Sequence, residues 1–195
     1  MNGATPGQDT PPQSDTGAAT NSEIDVEITN DQFILAVFHD DLNEQENVWP
    51  LVCSISGNPE GEKYWAQAWP CDTSDATKNW YVQPSLFAQN ASGEYRAQRN
   101  LARKVYCVML DDLGTKVPIE RLNACPPTWL IETSPMNHQA GYIFEVPIDG
   151  EKADALKVSL IEAGLCDKGA SGGMTRWMRL PAAIYGKPTH GSPPF

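Results

Sequence analysis

The sequence predicts an α+β fold whose sheet brings acidic side chains together at neighbouring strand ends. Three observations lead there. The apolar, β-branched run KVYCVML (104–110) runs directly into Asp111-Asp112-Leu113-Gly114. Two more strand-like runs, TWLIET (128–133) and GYIFEV (141–146), follow, with SPMNHQA between them, short enough for a hairpin. A helical pattern over 149–164 then leads into a further acid, Asp167. Strand, acid pair, strand, hairpin, strand, helix and acid loop are the ingredients of a sheet with helices packed on it.

The elements follow in chain order. Residues 1–22 are Gly, Pro, Thr, Gln, Ser, Asp, Asn and Ala apart from Met1, too few apolar groups to offset the entropy of ordering, so they read as a disordered tail. DQFILAVFHDDL (31–42) spaces Phe33, Val37, Phe38 and Leu42 for a short helix capped by Asp31, with a strand as the alternative that its β-branched content leaves open. PLVCSISG (50–57) reads as a strand closed by Gly57, and 58–80 as turn-rich with Trp65, Trp69 and Trp80. Residues 81–90 read as a strand and then a short helix opening at Pro84. EYRAQRNLAR (94–103) reads as helical or turn-like; as a helix it places Arg96, Arg99 and Arg103 on one face. The 149–164 helix takes its cap from Asp149 or Gly150, carries an apolar stripe of Ala153, Leu156, Leu160 and Ile161, and stops at Gly164. WMRLPAA is a short strand broken at Pro181, and GKPTHGSPPF reads as a linker.

Charge and cysteine content bound the function. The net charge is −11, but residues 1–62 hold 12 acidic and no basic side chains, while 63–195 hold 13 acidic and 14 basic. The body is therefore neutral, and a local basic groove is compatible with it. Five cysteines, Cys53, Cys71, Cys107, Cys125 and Cys166, form no CxxC pair and lack finger-like histidine spacing, which argues against a zinc site and against a secreted disulfide framework. The N-terminus lacks the basic and apolar regions of a signal peptide, and no apolar run approaches the ~18 residues of a membrane span. These features predict a soluble cytoplasmic protein with reduced thiols.

Three constellations carry chemistry, each with a plainer alternative. Asp111 and Asp112 concentrate negative charge at a strand end, which a hard divalent cation such as Mg²⁺ or Mn²⁺ would neutralise; the same Asp-Asp-Leu-Gly is also good turn chemistry. Ser134, Asn137, His138 and Gln139 supply phosphate donors or an acid, or form a polar hairpin loop. Asp167, Arg176, Arg179 and Lys187 combine an acid with phosphate-binding forks, or make surface salt bridges. Strand alternation separates Arg176 from Arg179 unless the strand twists.

Taken in order, these blocks resemble the archaeo-eukaryotic primase superfamily, most closely its RepB-like primase-polymerase branch from phages and plasmids. CVMLDDLGTK, PTWLIETSPMNHQAGY, LCDKGASGGMTRWMRLP and YGKP carry the resemblance, over nearly half the chain from Val105 to Pro188. It implies a split primase-polymerase fold, with an RRM-like catalytic antiparallel sheet beside an N-terminal α/β module, over residues 23–188, with 189–195 as linker. It implies two-metal, DNA-dependent nucleotidyl transfer, with Mg²⁺ or Mn²⁺ held by Asp111, Asp112 and Asp167. It implies nucleotide binding by Ser134, Asn137, His138, Gln139, Arg176, Arg179, Lys187 and Lys116, and DNA contacts from Arg96, Arg99, Arg103 and Lys104. The implied partners are template DNA, primer and (d)NTPs, with a helicase domain or protein, in the cytoplasm of a bacterial host. The alternatives are a replication-initiator or nucleotide-binding module with degenerate catalysis, and a metal-dependent nuclease. Two departures stand out: the acids are adjacent where the family has acid-x-acid, and Gln139 stands where the family has histidine, with His138 displaced by one.

Overall fold

The computed structural model describes residues 27–39, 42, 47–56 and 65–184. The tail 1–22, the linker 189–195 and Lys187 lie outside them. Two α-helices and seven strands are found there: α1 (Asn30–Phe38), β1 (Val48–Ile55), β2 (Gln67–Ala68), β3 (Asn79–Ala88), β4 (Ala102–Leu113), β5 (Trp129–Ser134), β6 (Asn137–Ile148), α2 (Gly150–Glu162) and β7 (Met178–Arg179). The strands form one sheet in the order β2-β1-β3-β4-β6-β5, with β7 paired to β3. All the strand pairs are antiparallel.

The sheet forks, and the fork positions the site. β4 pairs with β3 only through Ser85↔Val105 and Phe87↔Ala102, then turns to β6. Further back along β3, β7 takes the place beside it, through Tyr81↔Arg179 and Val82↔Met178. The chain leading into β7 is tied to β3 as well: the Ser85 hydroxyl donates to the Met174 carbonyl at 2.7 Å. The Gln83 amide donates to the Thr175 carbonyl and accepts from Trp177 Nε1.

α1 lays Phe33, Ile34, Val37 and Phe38 on Val48, Val52, Trp80, Val82, Leu86 and Tyr106, forming the largest apolar cluster. A second cluster, Leu110, Leu113, Val117, Leu122, Ala140 and Cys166, lies beside α2. The five thiols are free; Cys53, Cys107 and Cys166 are buried. Burial pushes the Cys107 thiol up to about 12 and Cys53 higher still.

Several local expectations are corrected. The cap of α1 is Thr29, not Asp31: its hydroxyl accepts from Gln32 N while the Gln32 side chain accepts from Thr29 N. Asp31 instead accepts from Trp69 Nε1 at 2.8 Å and Thr73 Oγ1 at 2.9 Å. No helix opens at Pro84; the residue is buried inside β3. It is tolerated because the ladders to β1, β4 and β7 all skip it, so its missing N–H breaks no pairing. Arg96, Arg99 and Arg103 share no helix face: after a turn through Gly93, the chain runs extended into a single 3₁₀ turn (Arg99–Leu101) and then into β4. The α2 stripe is also different. Ala153 is buried, but Leu156 is 36% exposed, and the buried long side chain of this helix is Lys157.

Candidate active site

β4 does not stop at the acids but carries them, and it does so through a bulge. Leu110 pairs with Ala140 and Leu113 with His138, so Asp111 and Asp112 together oppose the single residue Gln139. The extra residue is accommodated at Asp112, whose φ of 57° is left-handed, a conformation aspartate tolerates better than most side chains. A regular strand would send adjacent acids to opposite faces; here Asn137 and Gln139, two apart on β6 and so on one face, reach both. Asn137 Nδ2 donates to Asp112 Oδ1 at 3.2 Å, and Gln139 Nε2 donates to Asp111 Oδ1 at 3.1 Å.

The turn reading of Asp-Asp-Leu-Gly is also correct, and it builds the site rather than replacing it. Lys116 N and Val117 N both donate to the Asp112 carbonyl, and Thr115 Oγ1 donates to Asn137 Oδ1 at 2.7 Å. Gly114, at φ 87°, packs so closely on the β5–β6 hairpin that a Cβ there would lie 2.4 Å from the Met136 carbonyl oxygen. The turn folds Lys116 back over the acids.

Asp167 arrives from the loop after α2. Its N–H reaches the Asp111 carbonyl at 3.4 Å, and its carboxylate caps the next turn through Gly169 N at 2.9 Å. Lys116 Nζ then bridges Asp112 Oδ2 at 2.7 Å and Asp167 Oδ2 at 3.3 Å. The two carboxylates hold the Lys116 ammonium above its usual range, chiefly through the hydrogen bond to Asp112. On the other side, Arg176 Nη2 pairs with Asp111 Oδ2 at 3.0 Å. The acid side chains are 13%, 25% and 19% exposed for Asp111, Asp112 and Asp167, so all three are reachable from solvent.

A divalent ion is testable against this donor set. Asp112 and Asp167 already flank one cation, the Lys116 ammonium, with hard carboxylate oxygens on two sides, so they fit a hard ion. Asp111 faces Arg176 instead, and no group of three or more acidic, His or Cys side chains converges as a metal cluster among the described residues. The arrangement fits one ion between Asp112 and Asp167, rather than a three-carboxylate cluster.

The remaining predicted residues divide clearly. Gln139, not His138, faces the acids, and its Oε1 also accepts from Arg179 N at 2.9 Å, tying β6 to β7 across the fork. His138 takes the alternate face of β6, in a cleft with Gly114, Glu132 and Met136, where its Nδ1 is buried without a hydrogen-bond partner. Ser134 is buried at the end of β5 opposite Asn137 and does not bond to the acids. Arg179 is 5% exposed in the fork, with Nη2 3.4 Å from the Ala183 carbonyl. Arg96, Arg99, Arg103 and Lys104 lie around the start of β4, whose eight-residue rise separates Arg103 from Asp111 by roughly 25 Å. Sequence reading left Trp65 and Trp177 without a role, although a tryptophan in a turn-rich segment and one beside Arg176 are the signals that mark them.

No family model matches the chain, and no curated protein matches it in sequence. Solved structures do match. The primase-polymerase (PrimPol) AEP domain of cyanophage S-2L aligns with a TM-score of 0.56 at 16% identity, covering 76% of this chain and 78% of that one. The catalytic domain of primase RepB′, solved in complex with initiator DNA, aligns at 0.52 and 13%, covering 84% and 82%. The chain shares its fold with these two primase catalytic domains. Within this primase fold the acids stand at the end of a central strand, with Gln139 where the sequence pattern expected histidine. No helix among the described residues is long and apolar enough to cross a membrane.

Proposed function

We propose that this chain is a DNA-dependent nucleotidyltransferase, a primase-polymerase of phage or plasmid replication acting in the bacterial cytoplasm. Residues 23–188 form its catalytic domain, with the split organisation and RRM-like catalytic half that the family implies. Template DNA, primer and (d)NTPs are its substrates, and a helicase is its natural partner. The observation that carries this reading is the bulge that turns Asp111 and Asp112 to one face of the sheet, with Asp167 delivered against them.

Asp112 and Asp167 would hold a divalent ion, Mg²⁺ or Mn²⁺. Bound there, the ion would supply the charge that offsets a triphosphate and the acidification of an attacking 3′-hydroxyl; the family's two-ion chemistry would also recruit Asp111. The protein's own residues do the rest. Lys116 and Arg176 are the cations beside the acids, and triphosphate oxygens compete with Asp112, Asp167 and Asp111 for them. Gln139 fixes the Asp111 carboxylate and holds β7 against β6, so Arg176 stays within reach. Buried groups of this kind act by preorganisation, holding donors where charge develops.

The test is primer extension with labelled primed DNA, dNTPs or NTPs, and Mn²⁺. Asp111→Ala with Asp112→Ala is expected to lower extension by at least ~100-fold. Undiminished extension in that double variant overturns the assignment. A second reading is favoured by one observation, that each acid already has a cation from the chain itself: a primase-fold initiator or nucleotide-binding module with degenerate catalysis. Wild-type protein that binds DNA but leaves the primer length unchanged would establish it, and shortened strands would indicate a nuclease.

A further inference from the structure

Away from the acids, one cavity of about 570 Å³ opens between the β2 edge and residues 94–98, on the side of the sheet that Trp177 covers. Trp65, Tyr95, Trp177, Arg96, Gln67 and Gln98 contribute to its walls. Trp65 is 72% exposed, level with Met136 and just behind Val146 at 73% among the exposed large hydrophobic side chains of the described residues. Burial of an indole is worth several times more than that of a small side chain, so a solvated one beside a cavity is an unfilled contact. The deeper aromatics are fixed. The Tyr95 hydroxyl donates to Asn47 Oδ1 at 2.8 Å, and Trp177 Nε1 donates to the Gln83 amide.

The surroundings select the chemistry of the occupant. Residues 96–104 contain Arg96, Arg99, Arg103 and Lys104 and no acid, and all four are exposed. Glu94, at the wall, is already matched by Arg96 at 3.2 Å. Arg99 pairs with Asp154. An aromatic pocket beside a basic segment suits a ligand with a π-face and an anionic backbone in alternation. The position along the chain fits too, because Trp177 directly follows Arg176, which touches Asp111.

The geometry points to a base-stacking site for single-stranded DNA at Trp65, Tyr95 and Trp177, with the 96–104 segment tracking its phosphates. The site takes an unpaired base beyond the duplex, stacked on Trp65, without sequence preference. It rests on the proposed reaction for its purpose but not for its existence.

The experiment is fluorescence anisotropy of the full chain with a 5′-labelled 20-mer of oligothymidylate, at one fixed salt concentration, against a strand of equal length that is abasic. Trp65→Ala is expected to weaken oligothymidylate binding by about 5- to 150-fold, the range for losing one base–aromatic stack. Trp65→Phe keeps most of the affinity, and the abasic strand binds wild type and Trp65→Ala alike. Because Trp65 is exposed, its unfolding midpoint should stay unchanged, which separates lost stacking from lost folding. Unchanged oligothymidylate binding by Trp65→Ala, an equal loss on the abasic strand, or no binding by wild type overturns the site. If Trp65-dependent binding holds but wild type extends no primer, the reaction falls and the site stands. If extension depends on Asp111 and Asp112 while Trp65→Ala binds normally, the site falls and the reaction stands.

Discussion

The two helices pack on the same sheet in opposite ways. α1 is nine residues long and buries Phe33, Ile34, Val37 and Phe38 at 0–6% exposure. α2 is thirteen residues long and buries Gly150, Ala153 and Lys157. The shorter helix therefore sets its apolar face deepest into the fold, while the longer one meets the acid-bearing half with Ala153 and Lys157 buried and Leu160 and Ile161 only partly buried against its apolar cluster. The difference teaches that helix length and core contribution are separate quantities.

The largest expected effect breaks this comparison if it fails. Phe38 is fully buried, with its ring 5.2 Å from that of Tyr106. Phe38→Ala is expected to cost about 3–5 kcal/mol, as large-to-small changes in packed cores do. Leu156→Ala on α2 is expected to stay within about 0.5 kcal/mol, because its side chain is already partly solvated. Denaturant unfolding of both variants gives the two numbers. Similar costs would mean that α2 anchors its half as α1 does.

Backbone geometry at the acid end comes next. Gly114 and Gly93 have nearly the same left-handed φ, 87° and 80°, but a Cβ at Gly93 meets nothing within 4 Å whereas one at Gly114 meets the Met136 carbonyl oxygen. Gly93→Ala is expected to cost about 1 kcal/mol for conformation alone. Gly114→Ala adds the steric conflict, for about 1–3 kcal/mol or more, and should also lower primer extension, since the turn that returns Lys116 to the acids must shift. Equal costs for the two variants would show that the turn is pliable and the site not preorganised by it.

This contrast also explains what was legible in the sequence. The central strands, the hairpin and α2 follow from periodicity and turn residues, but β6 begins at Asn137, so most of the expected SPMNHQA connection is strand. The approach of Asp167 to Asp111 and Asp112 accords with their order along the chain, and the bulge that reconciles adjacent acids with one sheet face was foreseeable only as a possibility of strand geometry. What could not be read was tertiary compensation. Pro84 looks like a helix start, yet it lies in a strand because three neighbouring ladders leave a gap at that residue. Arg96, Arg99 and Arg103 have helical spacing, but a turn at Gly93 and the demand of β4 for extended chain override it. His138 is the more reactive side chain, yet one step of strand alternation gives the site to Gln139.

The smallest expected effects concern how the two helices begin. α1 is capped by a hydroxyl and α2 by a carboxylate: Thr29 accepts from Gln32 N, and Asp149 accepts from Lys152 N at 2.8 Å. Thr29→Ala is expected to cost about 1 kcal/mol, and Thr29 and Gln32, the two groups of that cap, carry no charge. The cap of α2 behaves differently. The Lys152 N–H, and then its ammonium, hold the Asp149 carboxyl below the usual carboxylate range. A group whose folded value is lowered adds stability that is present above its unfolded value and disappears as pH falls through the folded one. The start of α2 should therefore loosen on acidification below the ordinary carboxylate range. Asp149→Asn keeps a competent cap and removes the charge, so the Lys152 amide resonance should titrate in the wild type and stay flat in that variant. A Lys152 amide that titrated equally in Asp149→Asn would show that the change comes from elsewhere in the fold and not from the charge of this cap.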